Sequence, residues 1–537
     1  MPIKSEPLVR TTKGLVRGAV DGAIYVFKGI PYAAPPVGDL RWRPPAPVEK
    51  WGGERNAQER GPSSFQNAEL CKLVGGGDPT PPPLDEDCLY LNVWTPNLDE
   101  EAEALPVMVW IHGGGYVIGA GDLPPYVGTP LAARQAVVVN INYRLGHLGF
   151  FAHPALDREY DLGRGSVVNN FALLDQIEAL KWVQRNIARF GGDPENVTIF
   201  GQSAGGRSVL SLFASPLAGN LFHKGVAQSV YGLADVSRED ALERGVAVAT
   251  HFGLPGAEAT PADLRNIDKN AFWSIPPWVG KSLIPNPAAF GPPTPISGDA
   301  VLPVPLFDVF ESGNQLQLPL IIGSNSDDSS VLNDFGFGPD KVIELLHMLG
   351  IYDDVKTLYP GVTADDELGR QVGRDLLFTT MSFLIVERHT AKAPSWRYYF
   401  DYVAEQSDYL KGTRHSYEIP YVLDTGGIAP PPDENFSDRD KIFANRVSHY
   451  WLEFARSASN KSTFISGEVQ WNKHLLSTLP GNTETMRFGG FSKILPINPD
   501  LEPDYIGLAS NFMGLRMTAF RQHLPLRIPE GQVHSYS

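Results

Sequence analysis

Cysteine is almost absent: the 537-residue chain has two. Two thiols cannot build a disulfide-dense scaffold, so an apolar core must hold the fold, with one bridge at most. Basic residues are in deficit, with 45 Lys+Arg against 61 Asp+Glu and a formal net charge of −16. Binding nucleic-acid phosphates needs a basic face, so that balance argues against a nucleic-acid partner. Long apolar runs are missing too, and nothing approaches the roughly 20 consecutive apolar residues of a membrane helix. Internal repeats, long low-complexity tracts and an obvious linker are also lacking. Met1–Arg10 (MPIKSEPLVR) has no apolar h-region and no small-residue cleavage site. It reads as the start of a cytoplasmic protein or of a mature form with an added Met. No lipidation motif stands at either end.

What is present is ordinary for a globular chain: 42% hydrophobic and 20% charged residues exclude disorder. Length suggests two to four domains, yet a large α/β enzyme can fill it as one unit. The first 100 residues are rich in Pro and Gly, with short β-type runs at Gly14–Val16 and Ala23–Phe27, and Gly75–Pro83 (GGGDPTPPP) reads as a surface loop. Continuous apolar runs follow at Val107–Ile111, Ala136–Ile141, Val197–Phe200, Leu318–Ile322 and, less purely, Trp396–Tyr402. Runs apolar on both faces suit strands of a mostly parallel, buried sheet. Between the second and third, Leu173, Ile177, Leu180, Val183 and Ile187 recur at helical spacing, which makes a strand–helix–strand unit. The expected class is therefore α/β. Residues 232–300 and 325–395 read as helical and irregular insertions capping the sheet.

The third apolar run leads directly into Gly201-Gln202-Ser203-Ala204-Gly205-Gly206 and then the helical stretch Arg207–Phe213. Strand, G-x-S-x-G, helix is the setting of a nucleophile elbow: a strained turn lifts the serine oxygen above the sheet edge, and the helix N-terminus favours developing negative charge. Alone the motif is weak; its flanks strengthen it. The first run leads into His112-Gly113-Gly114-Gly115. Three glycines there could be only a tight turn. The functional reading is an oxyanion hole, with donors at Gly114, Gly115 and Ala204, because only glycine lets backbone N–H groups approach a carbonyl oxygen so closely. A serine needs a base and the base an orienter. Of twelve histidines, nine follow Ser203, and chemistry alone does not choose among them. No Cys/His cluster has zinc spacing, so no metal or cofactor is expected.

At this point the chain resembles the type B carboxylesterases, a family that includes cholinesterases and fungal lipases. The resemblance runs from about Gly14 to Arg456 through motifs in order: FKGIPYAAPPV from Phe27 with Arg41, EDCLYLNVWTP from Glu86, NYRLGHLGF from Asn142, and FGGDPENVTIFGQS ending at Ser203. It implies an α/β-hydrolase fold over residues 1–537 as a single domain. It also implies Asp328, in LIIGSNSDDSS, as the acid at the family's G-x-N-x-x-E-G motif, with Asp327 the competitor, and His415, in His415-Ser416-Tyr417-Glu418, as the base. Ser329 and Ser416 stand where the family has glycine. Gln202 replaces the family's usual Glu beside the nucleophile, Ser229 matches a serine that supports the site, and Arg41 with Glu86 matches a structural salt bridge.

The expected activity is hydrolysis of a carboxylic ester through an acyl-enzyme, with a small-molecule ester as the partner. The substrate class is a small to bulky xenobiotic or natural-product ester. A lipase and a non-catalytic adhesion module on the same fold are the rivals. The loop from Cys71 to Cys88 contains no aromatic residue, which disfavours a cholinesterase. Trp273–Phe290 reads either as pocket lining or as a packed surface excursion. The resemblance finally implies a Cys71–Cys88 disulfide and hence a secreted or periplasmic protein with its leader removed, a cytoplasmic one being the alternative.

Overall fold

Side chains that alternate onto two buried faces leave no polar edge to face water, and the apolar runs accordingly become inner strands. The computed structural model describes residues 6–67, 83–99, 101–161, 167–275, 294–457, 463–475, 485–489 and 506–509. The chain divides into two units. One comprises Met1–Gln228, Leu233–Pro319 and Ile419–Ser462; the other comprises Ser229–Gly232, Leu320–Glu418 and Thr463–Ser537.

The first unit carries strands β1 (Ala19–Asp21), β2 (Ile24–Pro31), β3 (Tyr90–Thr95), β4 (Leu105–Ile111), β5 (Val137–Ile141), β6 (Gly192–Gln202) and β7 (Lys224–Gln228). Their spatial order is β7-β6-β4-β5-β3-β2-β1. Strands β4 to β7 run parallel, and β3, β2 and β1 extend the sheet antiparallel. Val107, Val109, Val137, Val139 and Ile141 are completely buried, each worth about 1.5–3 kcal/mol relative to exposure. Helix α1 (Phe171–Asn186) buries Leu173, Ile177, Leu180 and Val183 and links β5 to β6. Helix α2 (Ala204–Ala214) packs on β6 and β7.

Two buried ion pairs brace this unit. Arg41 grips Glu86 through Nε–Oε2 (2.8 Å) and Nη2–Oε1 (2.5 Å). Arg144 grips Asp175 through Nε–Oδ2 (2.8 Å) and Nη2–Oδ1 (2.7 Å). Strand β7 opens with a buried lysine, which hides it from an apolar-run search. Lys224 Nζ reaches Asn196 Oδ1 (2.7 Å) and the carbonyls of Ala455 (2.6 Å) and Ser457 (2.5 Å) at the end of helix Asp438–Arg456. A cation at a helix C-terminus satisfies carbonyls that have no partner within the helix.

The second unit has β8 (Leu320–Asn325), β9 (Ser395–Phe400), β10 (Thr485–Phe488) and β11 (Ile506–Ala509). β8, β9 and β10 are parallel and β11 closes the series antiparallel. Between β8 and β9 the chain is helical, including α3 (Asp365–Arg374), a π-helical turn (Asp375–Thr379) and α4 (Thr380–Thr390). Val342, Leu346, Leu368, Val372 and Phe383 form a core among these helices. Among the described residues, no helix is long and apolar enough to cross a membrane.

The expected disulfide is not supported. Cys88 is a free, completely buried thiol, and Cys71 lies outside the described residues. The thiol faces inward, between the two ion pairs, where it lines a gap with Ser64, Glu86 and Arg144 too narrow for a water molecule. Burial pushes its pKa up and keeps it protonated. A motif match at one cysteine fixes neither the direction of its side chain nor a partner. The expectation of export rested on that bridge and loses its ground with it. Denaturing the protein in iodoacetamide without reductant is expected to alkylate Cys88; a disulfide-linked Cys71–Cys88 peptide would overturn this. Of Trp273–Phe290, residues 276–290 also lie outside the described residues.

Candidate active site

Parallel register puts two strand ends side by side. Gly201 pairs with Ile111 and Gln202 with Gln228, so the turns after β6 and β4 emerge together at the carboxyl edge of the sheet, where ligands bind in open α/β folds. Ser203 is the first residue past β6. Its backbone, at φ +58° and ψ −121°, is a conformation that costs a non-glycine residue about 1–3 kcal/mol. The turn is held because Ser203 N–H donates to Gln228 O (2.8 Å) and Ser203 O accepts from Arg207 N–H (2.8 Å). It can be this tight only with glycine at 205, where a Cβ would lie 2.0 Å from Ile111 O. Ser203 retains 9% exposure.

The loop after β4 is built around Gly114 at φ +103°, where a Cβ would lie 2.1 Å from Ile118 O. Gly113 sits against the Ser203 turn; its Cβ would lie 2.7 Å from Gln202 O and 3.2 Å from Ser203 Cβ. Among the described residues, the N–H groups of Gly114, Gly115 and Ala204 make no hydrogen bond. They are donors in want of an acceptor, as an oxyanion hole requires. His112 clamps this loop. Its Nδ1–H donates to Gly113 O (2.8 Å), its carbonyl accepts from Tyr143 OH (2.7 Å), and its ring stacks on Tyr143 at 4.4 Å. Burial lowers its pKa to about 4, so the ring is neutral with its proton on Nδ1. Gln202 is buried and places a neutral amide where the family usually has a carboxylate.

The second unit holds the other expected residues. Asp328 is completely buried just after β8. Its Oδ1 lies 2.8 Å from His415 Nδ1 and its Oδ2 accepts from Asn325 N–H (2.7 Å). Asp327 points elsewhere: its carboxylate accepts from Arg370 Nη1 (2.5 Å), Ser329 Oγ (3.1 Å) and Tyr409 OH. The expected acid and its competitor thus have different partners, and of the two only Asp328 touches the histidine. Phe378, on the π-helical turn, lies with its ring 5.2 Å from that of His415. Ser416 has φ +72°, which explains why glycine is the family's choice there. Ser229, also at positive φ (49°), donates N–H to Gly323 O (2.9 Å), and its Oγ has no partner among the described residues.

Residues that the sequence reading did not assign also shape this half. Asn325 Nδ2 bonds Arg414 O (2.9 Å) and Glu418 Oε2 (2.5 Å). The signal for these was present, since Asn325 and Glu418 are fixed letters of the acid and histidine motifs, and each is there to hold the other. His415 N–H donates to Ser330 Oγ (3.0 Å), a contact no motif announces. Among the described residues, no group of three or more His, Cys, Asp or Glu side chains could hold a metal ion.

A model of the carboxylesterase family matches residues 5–488. The fumonisin B1 esterase of Sphingopyxis macrogoltabida is 35% identical over 469 residues, 83% of this chain and 82% of that protein. The para-nitrobenzyl esterase of Bacillus subtilis (strain 168) is 32% identical over 481 residues, 85% of this chain and 91% of that protein. A solved PNB esterase structure superposes with a TM-score of 0.76 at 27% identity, over 96% of this chain and 99% of that one. Elbow, glycine loop and acid–histidine pair thus stand in a chain that belongs to the carboxylesterase family, an enzyme of α/β-hydrolase fold that hydrolyses carboxylic esters.

Proposed function

We propose that Ser203 is the nucleophile, His415 the general base and Asp328 the orienting acid of an acyl-enzyme mechanism. The observation that carries this reading is the 2.8 Å contact of Asp328 Oδ1 with His415 Nδ1. A carboxylate there accepts Nδ1–H, which leaves the lone pair on Nε2 to take the Ser203 hydroxyl proton. Ser203 Oγ attacks the ester carbonyl and the oxyanion gains the N–H groups of Gly114, Gly115 and Ala204. The alkoxide leaves with the proton from His415, and water repeats the sequence on the acyl-enzyme. Asp328 stabilises the imidazolium in both halves.

Gln202 adds no negative charge beside Ser203, so a cationic substrate gains no extra attraction there. That favours neutral esters. The names of the relatives, a fumonisin B1 esterase and a para-nitrobenzyl esterase, support a xenobiotic or natural-product ester as the substrate class. Treatment with a p-nitrophenyl organophosphate is expected to release one equivalent of p-nitrophenol and to leave the phosphoryl group on the peptide containing Ser203. A label on another residue, or none, would overturn the assignment. Esters varied separately in acyl and alcohol size then define the substrate.

A further inference from the structure

The segment that carries His415, residues 401–418, has no helix or strand, only the single bridge Asp327–Arg414. A general base must nevertheless keep its place to within a few tenths of an ångström. Hydrogen bonds to the turn 325–330 supply what secondary structure does not. Asp327 N–H donates to Thr413 O (2.9 Å), Thr413 N–H to Ser326 Oγ (2.8 Å), Asn325 Nδ2 to Arg414 O (2.9 Å), His415 N–H to Ser330 Oγ (3.0 Å), and Tyr409 OH to Asp327 Oδ2. Only the last of these involves an ionised carboxylate. Asp327 is completely buried, and a buried anion persists only when paired. Its counter-charge is Arg370 on α3, which turns Nη1 to Asp327 and uses Nε (2.9 Å) and Nη2 (2.7 Å) to grip Glu367. A connected line of charge-assisted bonds therefore runs Glu367–Arg370–Asp327–Tyr409 and ends in the histidine segment.

We propose that Asp327 is a positioning residue for His415, acting through Tyr409, and that Arg370 cancels its charge so that the imidazole is not exposed to a second unbalanced anion beside Asp328. The proposal rests on the reading of His415 as the base. The charged and titratable groups around this turn within the unit include Asp328, Arg370 with Glu367, Arg374 (Nη1 3.2 Å from Ser326 O) with Asp375 on its Nε (2.7 Å), Tyr398, Tyr409, Arg414 (guanidinium 3.9 Å over the Tyr409 ring) with Tyr417 OH on its Nη1 (2.8 Å), and Glu418. Burial and Asp327 both push the Tyr409 phenol up, which keeps it a donor.

The test is a cycle of Arg370→Gln, Asp327→Asn and the double variant, with pH profiles of kcat/KM on a p-nitrophenyl ester. Arg370→Gln leaves Asp327 unbalanced, so the imidazolium is favoured and the acid limb is expected to move up by about half to one pH unit. Asp327→Asn removes the anion and is expected to produce no upward shift. The double variant is expected to return the limb to its original place. A merely structural ion pair would lower the melting temperature without this crossed pattern, so a limb unmoved in Arg370→Gln overturns the proposal. That result would leave organophosphate labelling of Ser203 intact, which separates this failure from failure of the mechanism. Should Arg370→Gln not fold, Tyr409→Phe keeps the ion pair and the ring and removes one bond. Its expected result is a several-fold lower kcat at unchanged KM, and an unchanged kcat overturns the proposal.

Discussion

Ser203→Ala is expected to lower kcat on a p-nitrophenyl ester by about 10⁴- to 10⁶-fold, the loss seen when a serine nucleophile is removed from a triad that acts as a unit. Alanine occupies the same strained backbone and removes one oxygen, so circular dichroism and the melting temperature are expected to stay close to those of the unaltered protein. The N–H groups proposed to hold the oxyanion, those of Gly114, Gly115 and Ala204, survive the change. Residual turnover above the spontaneous rate would therefore come from them and from substrate binding. Stopped assays with purified protein check this, provided contaminating host esterase is excluded by the organophosphate. Turnover within about tenfold of the original would remove Ser203 as nucleophile.

The second large effect concerns two adjacent aspartates. Asp328→Asn is expected to lower kcat about 10⁴-fold, whereas Asp327→Asn is expected to cost roughly tenfold or less. The amide at 328 keeps the shape of the carboxylate but turns an N–H toward His415 Nδ1. The imidazole then carries its proton on Nε2 and cannot accept one from Ser203. Asp327 faces Arg370 and Tyr409 instead, and its amide would still accept from Tyr409 OH. Circular dichroism on both variants separates misfolding from lost chemistry. The reverse order of effects would transfer the acid role to Asp327.

The parts of the site that sequence disclosed are those where one residue type is forced by geometry. A glycine at 205, whose Cβ would lie 2.0 Å from Ile111 O, and a glycine at φ +103° after a buried strand leave a mark because no other residue fits. The parallel strands were legible for a related reason, since full burial selects unbroken apolar runs. Strand β7 was not, because Lys224 sits in its first position and the helix end that accepts it lies more than two hundred residues away. The tether of the histidine segment was equally hidden. Ser330, Tyr409 and Arg370 are ordinary polar residues whose meaning lies in who faces them. Choosing His415 among nine candidates, and Asp328 ahead of Asp327, needed the family motif; the different partners of the two aspartates needed the direction of their side chains. At Cys88 the motif announced a bridge that the structure does not support, since a short run of letters says nothing about which way a thiol turns.

The glycines around Ser203 have a consequence for how this enzyme can change. A methyl group on Gly113, Gly114 or Gly205 would run into main chain at 2.7, 2.1 or 2.0 Å, respectively, and main chain has nowhere to retreat when both partners end strands of one sheet or the turn that follows. The reactive centre therefore tolerates almost no drift. Directed evolution toward a new ester has to be paid for in the loops that surround the centre, and libraries that spare residues 112–115 and 201–206 will keep far more living variants.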